Sequence, residues 1–262
     1  MKQIFEKTIK FYFPDNEDYR QKMDPVILID YLNDIAGKHS EALGYSLESL
    51  LRNGYSWILL NWNIQINELP ESGDNIKIQT WISRTRRCFA NREFLVRDNQ
   101  DNTMVFASSR WIFYNLNKQV PGKLFPEFSD KRIIIPERAC SKSIFGSSIL
   151  QKDRCQTIET SIDVQKIDID MLNHVHNSRY IQWSIDNKPE KMIKQYKLSY
   201  LQVSYNHEVK YPGKVTIRQF FVPPEEKSKI LFYDEIRDDE KERLSAEIVS
   251  EWVLQTNNLK GI

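Results

Sequence analysis

Residues 91–115, NREFLVRDNQDNTMVFASSRWIFYN, and residues 230–254, ILFYDEIRDDEKERLSAEIVSEWVL, read as one pattern written twice. Each is a β-rich run, a polar turn, and a second β-rich run carrying Ser-x-Trp near its end: Ser109 with Trp111, Ser250 with Trp252. Working outward, Glu68 and Gly73 pair with Glu208 and Gly213 at nearly the same offset. LNWNIQIN at 60–67 alternates, with Leu60, Trp62, Ile64 and Ile66 on one face and Asn61, Asn63, Gln65 and Asn67 on the other. LSYLQVSYNHEV at 198–209 alternates likewise and places Glu208 in a strand. The turn PESGD at 70–74 has its counterpart in YPGK at 211–214.

Each half sets a helix before its meander. In MDPVILIDYLNDIAGKHSEALG, residues 23–44, Asp24 is an N-cap, Pro25 suits the first helical position and Gly44 stops the helix. Leu28, Leu32, Ile35, Ala36, His39 and Leu43 share one stripe, so His39 is expected in the core. In the second half, IETSIDV at 158–164 reads as a strand and SRYIQWSIDN at 178–187 as a helix beginning near Asn177. Two repeats of helix plus antiparallel meander predict an α+β fold of two tandem hotdog units, each a sheet wrapped around a central helix, forming a pseudo-dimeric double hotdog. The expected bounds are 1–118 for the N-terminal hotdog, 119–157 for a linker lying over the surface, with RIII at 132–135 as an edge strand, and 158–262 for the C-terminal hotdog.

Composition narrows the function. With 40% hydrophobic and 12% aromatic residues, the 262-residue chain can bury a core. A formal charge of +1 gives no global field for nucleic acid. Three cysteines, Cys88, Cys140 and Cys155, lack metal-ligand spacing and imply a reduced, cytoplasmic setting. No apolar run suits a membrane span, and the start has no signal-peptide block.

The chemistry gathers in DIDMLNHVHNSRY, residues 168–180, which holds two of the four histidines. The loop brings Asp170, Asn173 and His174 to the N-terminus of the second helix, where backbone N–H groups and the dipole favour a developing oxyanion. Asp170 and His174 supply polarisation and orientation, and Glu208 supplies a base or nucleophile, as thioester hydrolysis requires. The bland readings are a structural His174, Asn177 as an N-cap, and Tyr180 and Trp183 as helix packing. His174 and His176 share a face, but no third ligand is spaced to join them, so neither metal nor organic cofactor is expected. The first half has no such loop: PDNEDYRQKMDP, residues 14–25, contains no histidine.

LNDIAGKHSEALG, WILLNWNIQINELPESGDNIKIQTW, EFLVRD, ASSRWIFYN, DIDMLNHVHNSRYIQW and YNHEV together resemble the acyl-acyl-carrier-protein (acyl-ACP) thioesterases, double-hotdog enzymes of plants and bacteria. The resemblance spans nearly the whole chain. It implies hydrolysis of fatty acyl-ACP to free acid and carrier thiol, with Asp170, His174 and Glu208 on the family's catalytic positions. Two departures stand out. Leu172 occupies the place of an asparagine, which leaves Asn173 as its candidate substitute, and Val209 replaces a cysteine, so a thiolate mechanism there is excluded. The implied partner is acyl carrier protein. Arg84, Arg86, Arg87 and Arg92 are candidate docking residues, with Lys188, Lys191, Lys194 and Lys197 as a rival patch, and Trp62 and Asn177 are candidate substrate contacts. No nucleic acid or membrane partner is expected, and the chain is read as monomer or homodimer. An acyl-CoA thioesterase and a non-catalytic acyl-chain binding module are the alternatives; a dehydratase lacks its histidine–acid arrangement here.

Overall fold

A computed structural model describes residues 4–12, 22–129, 133–144, 155–223 and 229–255. The chain divides into two units, Met1–Ser141 and Lys142–Ile262. In the first, β1 (Phe5–Lys10) precedes helices α1 (Pro25–Ala42) and α2 (Leu47–Arg52), then β2 (Tyr55–Ile66), β3 (Asn75–Arg86), β4 (Phe89–Arg97), β5 (Thr103–Asn115) and the short β6 (Val120–Pro121). The antiparallel order is β1-β3-β4-β5-β2, with β6 beside β5. In the second, β7 (Gln156–Asp163) precedes α3 (Asn177–Asp186) and α4 (Glu190–Gln195), then β8 (Tyr196–Tyr205), β9 (Lys214–Phe221), β10 (Lys229–Asp238) and β11 (Arg243–Leu254). Its order is β7-β9-β10-β11-β8, the same path through the same succession of strands.

Local chemistry explains α1. The Asp24 carboxylate accepts from the Val26 N–H at 2.7 Å, Pro25 opens the helix, and Gly44 ends it at φ +94°. Val26, Leu28, Ile29, Leu32, Ile35, Ala36 and His39 are buried on the sheet of the first unit. Full burial of one such aliphatic side chain contributes about 1.5–3 kcal/mol, so the stripe rather than helix propensity holds α1. The strand β2 alternates as expected up to a bulge between Leu59 and Asn61, which turns Leu59 inward and leaves Leu60 only half-buried. The expected inward face therefore holds at Trp62, Ile64 and Ile66 but not at Leu60.

The Ser-x-Trp repeat has a physical content in both units. Trp111 Nε1 donates to Ser109 Oγ at 2.7 Å, and Trp252 Nε1 donates to Ser250 Oγ at 2.9 Å. Ile134 and Ile135 run along the edge of the first sheet beside Ile82, and Glu137, Ala139 and Cys140 bond to Trp81, Glu93 and Ser108. Ile134 bridges Ile82 in parallel, and Trp81 Nε1 donates to the Glu137 carbonyl at 2.9 Å. The buried Glu93 carboxylate accepts from Ser83 Oγ, Ser108 Oγ and the Ala139 N–H. Among the described residues no helix is long and apolar enough to cross a membrane. Most of 14–25, the first-half segment without histidine, lies outside the described residues.

Candidate active site

The loop before α3 is built by turn chemistry. The Asp170 N–H donates to the His174 carbonyl at 2.8 Å and the Asn173 N–H donates to the Asp170 carbonyl at 3.0 Å. Asn173 has φ +61°, the left-handed region that asparagine tolerates better than most residues. This is a type I turn followed by a left-handed residue, closing a small hairpin whose arms meet at Ile169 and Val175. Asp170 Oδ1 accepts from the Leu172 N–H at 2.8 Å and the His174 N–H at 3.2 Å. One carboxylate oxygen thus fixes the backbone that carries His174, while Oδ2 carries no protein hydrogen bond among the described residues.

His174 is half-buried and opposes Lys210 in an antiparallel bridge, while the Val175 N–H donates to the Val209 carbonyl at 2.9 Å. Val175 and Val209 are buried. The Val175–Val209 bond and the His174–Lys210 bridge therefore join the loop before α3 to the segment that follows β8. Glu208 corrects one expectation. The strand β8 ends at Tyr205, and Glu208 is exposed in the loop beyond it, its carbonyl accepting from Arg243 Nη2 at 2.9 Å. Tyr180 fastens this loop to α3: its hydroxyl accepts from the Val209 N–H at 3.1 Å. Burial, with the Glu208 charge beside it, pushes the Tyr180 phenol well above its ordinary range, so it stays protonated.

The N-cap of α3 is His176, not Asn177, and its Nδ1 lies 2.8 Å from Ser178 Oγ. The His176 side chain makes no cap bond to the first turn, and Asn177 is its first residue, its carbonyl accepting from the Tyr205 hydroxyl at 2.9 Å. The aspartate beside this turn is Asp168, buried and 3.7 Å from Arg179 Nε. The last turn of α3 is bound to the sheet through polar groups. Ser184 Oγ donates to Asp234, Lys188 Nζ pairs with Asp234 Oδ2 at 2.6 Å, and Gln219 Nε2 donates to the Ser184 carbonyl at 2.8 Å. Lys188 also lies 4.3 Å from the Phe232 ring centroid. Lys188 is therefore a core residue and drops out of the rival basic patch. Its burial was hidden because the carboxylate that holds it stands 46 residues further along the chain.

In the first unit, Arg84, Arg86 and Arg87 are exposed at the β3–β4 hairpin, with Arg87 at φ +57°. The sheet register adds a residue that reading the linear run missed. Arg84 and Arg110 flank Asn91 on one face, and the Arg110 guanidinium covers the Phe89 ring at 4.5 Å. None of these four arginines has an ion-pair partner among the described residues. Trp62 is fully buried against Phe94 at 5.1 Å between centroids, an interior residue with an Nε1–H that meets no acceptor.

His39 is a core histidine, and Arg92, buried beside it and bonded to Thr80, drops out of the candidate docking run. Arg92 Nη1 lies 2.8 Å from His39 Nδ1; a guanidinium only donates, so Nδ1 is the acceptor and Nε2 carries the proton. Burial and the adjacent Arg92 charge lower the His39 pKa to about 3. Among the described residues no group of three or more His, Cys, Asp or Glu side chains gathers as a metal site.

Two family models match this chain: the acyl-ACP thioesterase N-terminal domain over residues 3–131 and the acyl-ACP thioesterase C-terminal domain over residues 151–254. A chloroplastic oleoyl-acyl carrier protein thioesterase of Coriandrum sativum is 22% identical over 204 residues, covering 72% of this chain and 55% of that protein. The chain spans about half the length of the curated relatives it matches. The crystal structure of an acyl-ACP thioesterase from Bacteroides thetaiotaomicron aligns with TM-score 0.78 at 21% identity, over 95% of this chain and 98% of that one. A 12:0-ACP thioesterase from Umbellularia californica aligns with TM-score 0.78 at 15% identity, over 97% of this chain and 95% of that one. These likenesses carry the fold, and the paired domain models carry the kinship: the chain belongs to the acyl-ACP thioesterase family.

Proposed function

We propose that this protein hydrolyses fatty acyl-ACP thioesters to free fatty acid and carrier thiol. The observation that carries the reading is the Asp170 turn, which presents His174 opposite the 208–210 segment in a chain of this family. Asp170 is the most pre-organised carboxylate of the set, since Oδ1 is fixed by two N–H groups and Oδ2 is left for chemistry. In the proposed step, Oδ2 takes a proton from water as the water oxygen attacks the thioester carbon. His174 and the N–H groups at the start of α3 hold the developing oxyanion. The C–S bond then breaks, and the proton on Asp170 passes to the departing carrier thiolate. Glu208, exposed in the loop two residues before Lys210, orients the imidazole and the water in this scheme. Asn173 is assigned to the turn and not to proton transfer, because its left-handed backbone accounts for its presence. No metal or organic cofactor enters this scheme.

The architecture belongs to the same proposal: two tandem hotdog units, bounded near 1–118 and 158–262 with 119–157 between them, acting as a pseudo-dimer within one chain. The repeated strand order and the repeated Trp–Ser hydrogen bond support it. One catalytic loop per chain follows. Arg84, Arg86, Arg87 and Arg110 give a basic surface that steers the acidic carrier, and Asn177 lies beside the thioester at the start of α3. A cytoplasmic setting is part of the reading, supported by Cys88, Cys140 and Cys155 being thiols rather than disulfides.

Matched acyl-ACP and acyl-CoA esters across chain lengths test the proposal. The expected result is a higher kcat/KM for the carrier-borne ester. Faster turnover of the CoA esters would replace this reading with an acyl-CoA thioesterase, and no hydrolysis of either would leave a binding module.

A further inference from the structure

Isolated apolar side chains on a surface are ordinary, whereas several on one short loop beside a reactive site call for an occupant. Ile167 is 77% exposed and Met171 is 74% exposed, the two highest values among the large hydrophobic residues described. Both stand on the loop that carries Asp170 and His174: Ile167 in the 3-10 turn Lys166–Asp168, Met171 at the apex of the hairpin. Tyr211 is 37% exposed, and Lys166 Nζ approaches its ring at 5.9 Å, which joins the 166–171 loop to the segment after Glu208. Lys210 is exposed and opposes His174. Neither Lys166 nor Lys210 has an ion-pair partner among the described residues. Of the acidic groups nearby, one faces a lysine across the sheet register, one is buried and two belong to the site. Asp163 opposes Lys214 across β7 and β9, Asp168 is buried beside Arg179, and Asp170 and Glu208 are the proposed catalytic carboxylates.

We infer that Ile167, Met171 and Tyr211, rimmed by Lys166 and Lys210, form the lip on which the acidic carrier protein docks to deliver its acyl thioester arm to His174. The inference rests on the proposed function for its occupant, and charge complementarity selects that occupant. A membrane surface would ask for a longer basic stripe, and a CoA nucleotide has no use for two protruding apolar side chains. The apolar residues supply contact that slows dissociation, while the two lysines favour encounter with a negative surface and weaken as salt rises.

The test uses the full chain with Ile167→Asp/Met171→Asp and, separately, Lys166→Glu, all at exposed positions outside the catalytic set. Two readouts are needed: binding of labelled holo-carrier, and hydrolysis of acyl-ACP beside a small acyl-pantetheine ester that needs no docking. Carrier binding and the KM for acyl-ACP should weaken by about tenfold or more in the double variant, with kcat and small-ester turnover held within about twofold. Unchanged carrier binding in both variants overturns the lip, as does an equal loss on the small ester. Wild-type protein that binds carrier through the lip but hydrolyses neither ester keeps the docking surface and removes the proposed activity.

Discussion

Replacing Asp170 by asparagine separates the two tasks assigned to it. Asparagine keeps an Oδ1 acceptor at the same place, so the bonds from the Leu172 N–H at 2.8 Å and the His174 N–H at 3.2 Å survive. Only the charge and the basic Oδ2 are lost. Hydrogen bonds to a charged acceptor run about twice as strong as neutral ones, and this site is half-buried, so the stability cost is about 1 kcal/mol. Loss of a general base lowers turnover about 10²- to 10⁴-fold, roughly 3–5 kcal/mol of barrier. Asp170→Ala removes both acceptors as well, costing about 1–3 kcal/mol of stability and loosening the turn under His174. The assay pairs urea unfolding with kcat on a single acyl-ACP. Near-native stability with collapsed kcat in Asp170→Asn supports the assignment. An Asp170→Asn variant within about threefold of wild-type kcat would refute it and leave Asp170 as a turn residue only.

Further outcomes follow from neighbouring geometry. Asn173→Gly suits φ +61° and should leave kcat within about threefold, whereas Asn173→Val should cost about 1–2 kcal/mol; a large kcat loss in the glycine variant would return Asn173 to the chemistry. His39, lowered from 6.5 to about 3, leaves the unfolded chain binding a proton that the folded chain refuses between those values. Stability should therefore fall by about 1.4 kcal/mol per pH unit on acidifying through that window and be fully present above it, a slope that His39→Gln removes. Identical pH profiles for the two proteins would contradict this. Lys188→Met strands the buried Asp234 and should cost about 3–5 kcal/mol in denaturant unfolding; a loss under about 1 kcal/mol would show that Ser184 and Gln219 satisfy the carboxylate alone.

What was legible in the sequence was local or periodic. The cap of α1 was written in Asp24-Pro25 and its stop in Gly44, and its buried stripe in apolar spacing. The repeat was legible because Ser-x-Trp makes the same short hydrogen bond in both units. Features that depend on long-range packing were not. The bulge at Leu59–Asn61 reversed Leu60, since one extra residue flips the two-residue period. The strand β8 ends before Glu208, where the Asn206 and His207 N–H groups share the Ser245 carbonyl and Val209 and Lys210 turn to meet Val175 and His174, contacts that alternation in YNHEV does not encode. Lys188 read as a surface charge because its partner, Asp234, comes from a later strand. The turn role of Asn173 was readable in principle: Asp at the first position of a type I turn and Asn at its left-handed end are local signals. The density of reactive residue types in 168–180 masked them.

The most direct test of the central claim is the release of free fatty acid and carrier thiol from purified acyl-ACP by wild-type protein beside His174→Ala, with folding of the variant checked by its unfolding curve. Equal amounts of acid and thiol from wild type, and a loss of about 10²-fold or more in a folded His174→Ala, are the predicted result. No release by wild type, or equal release by the variant, would contradict it.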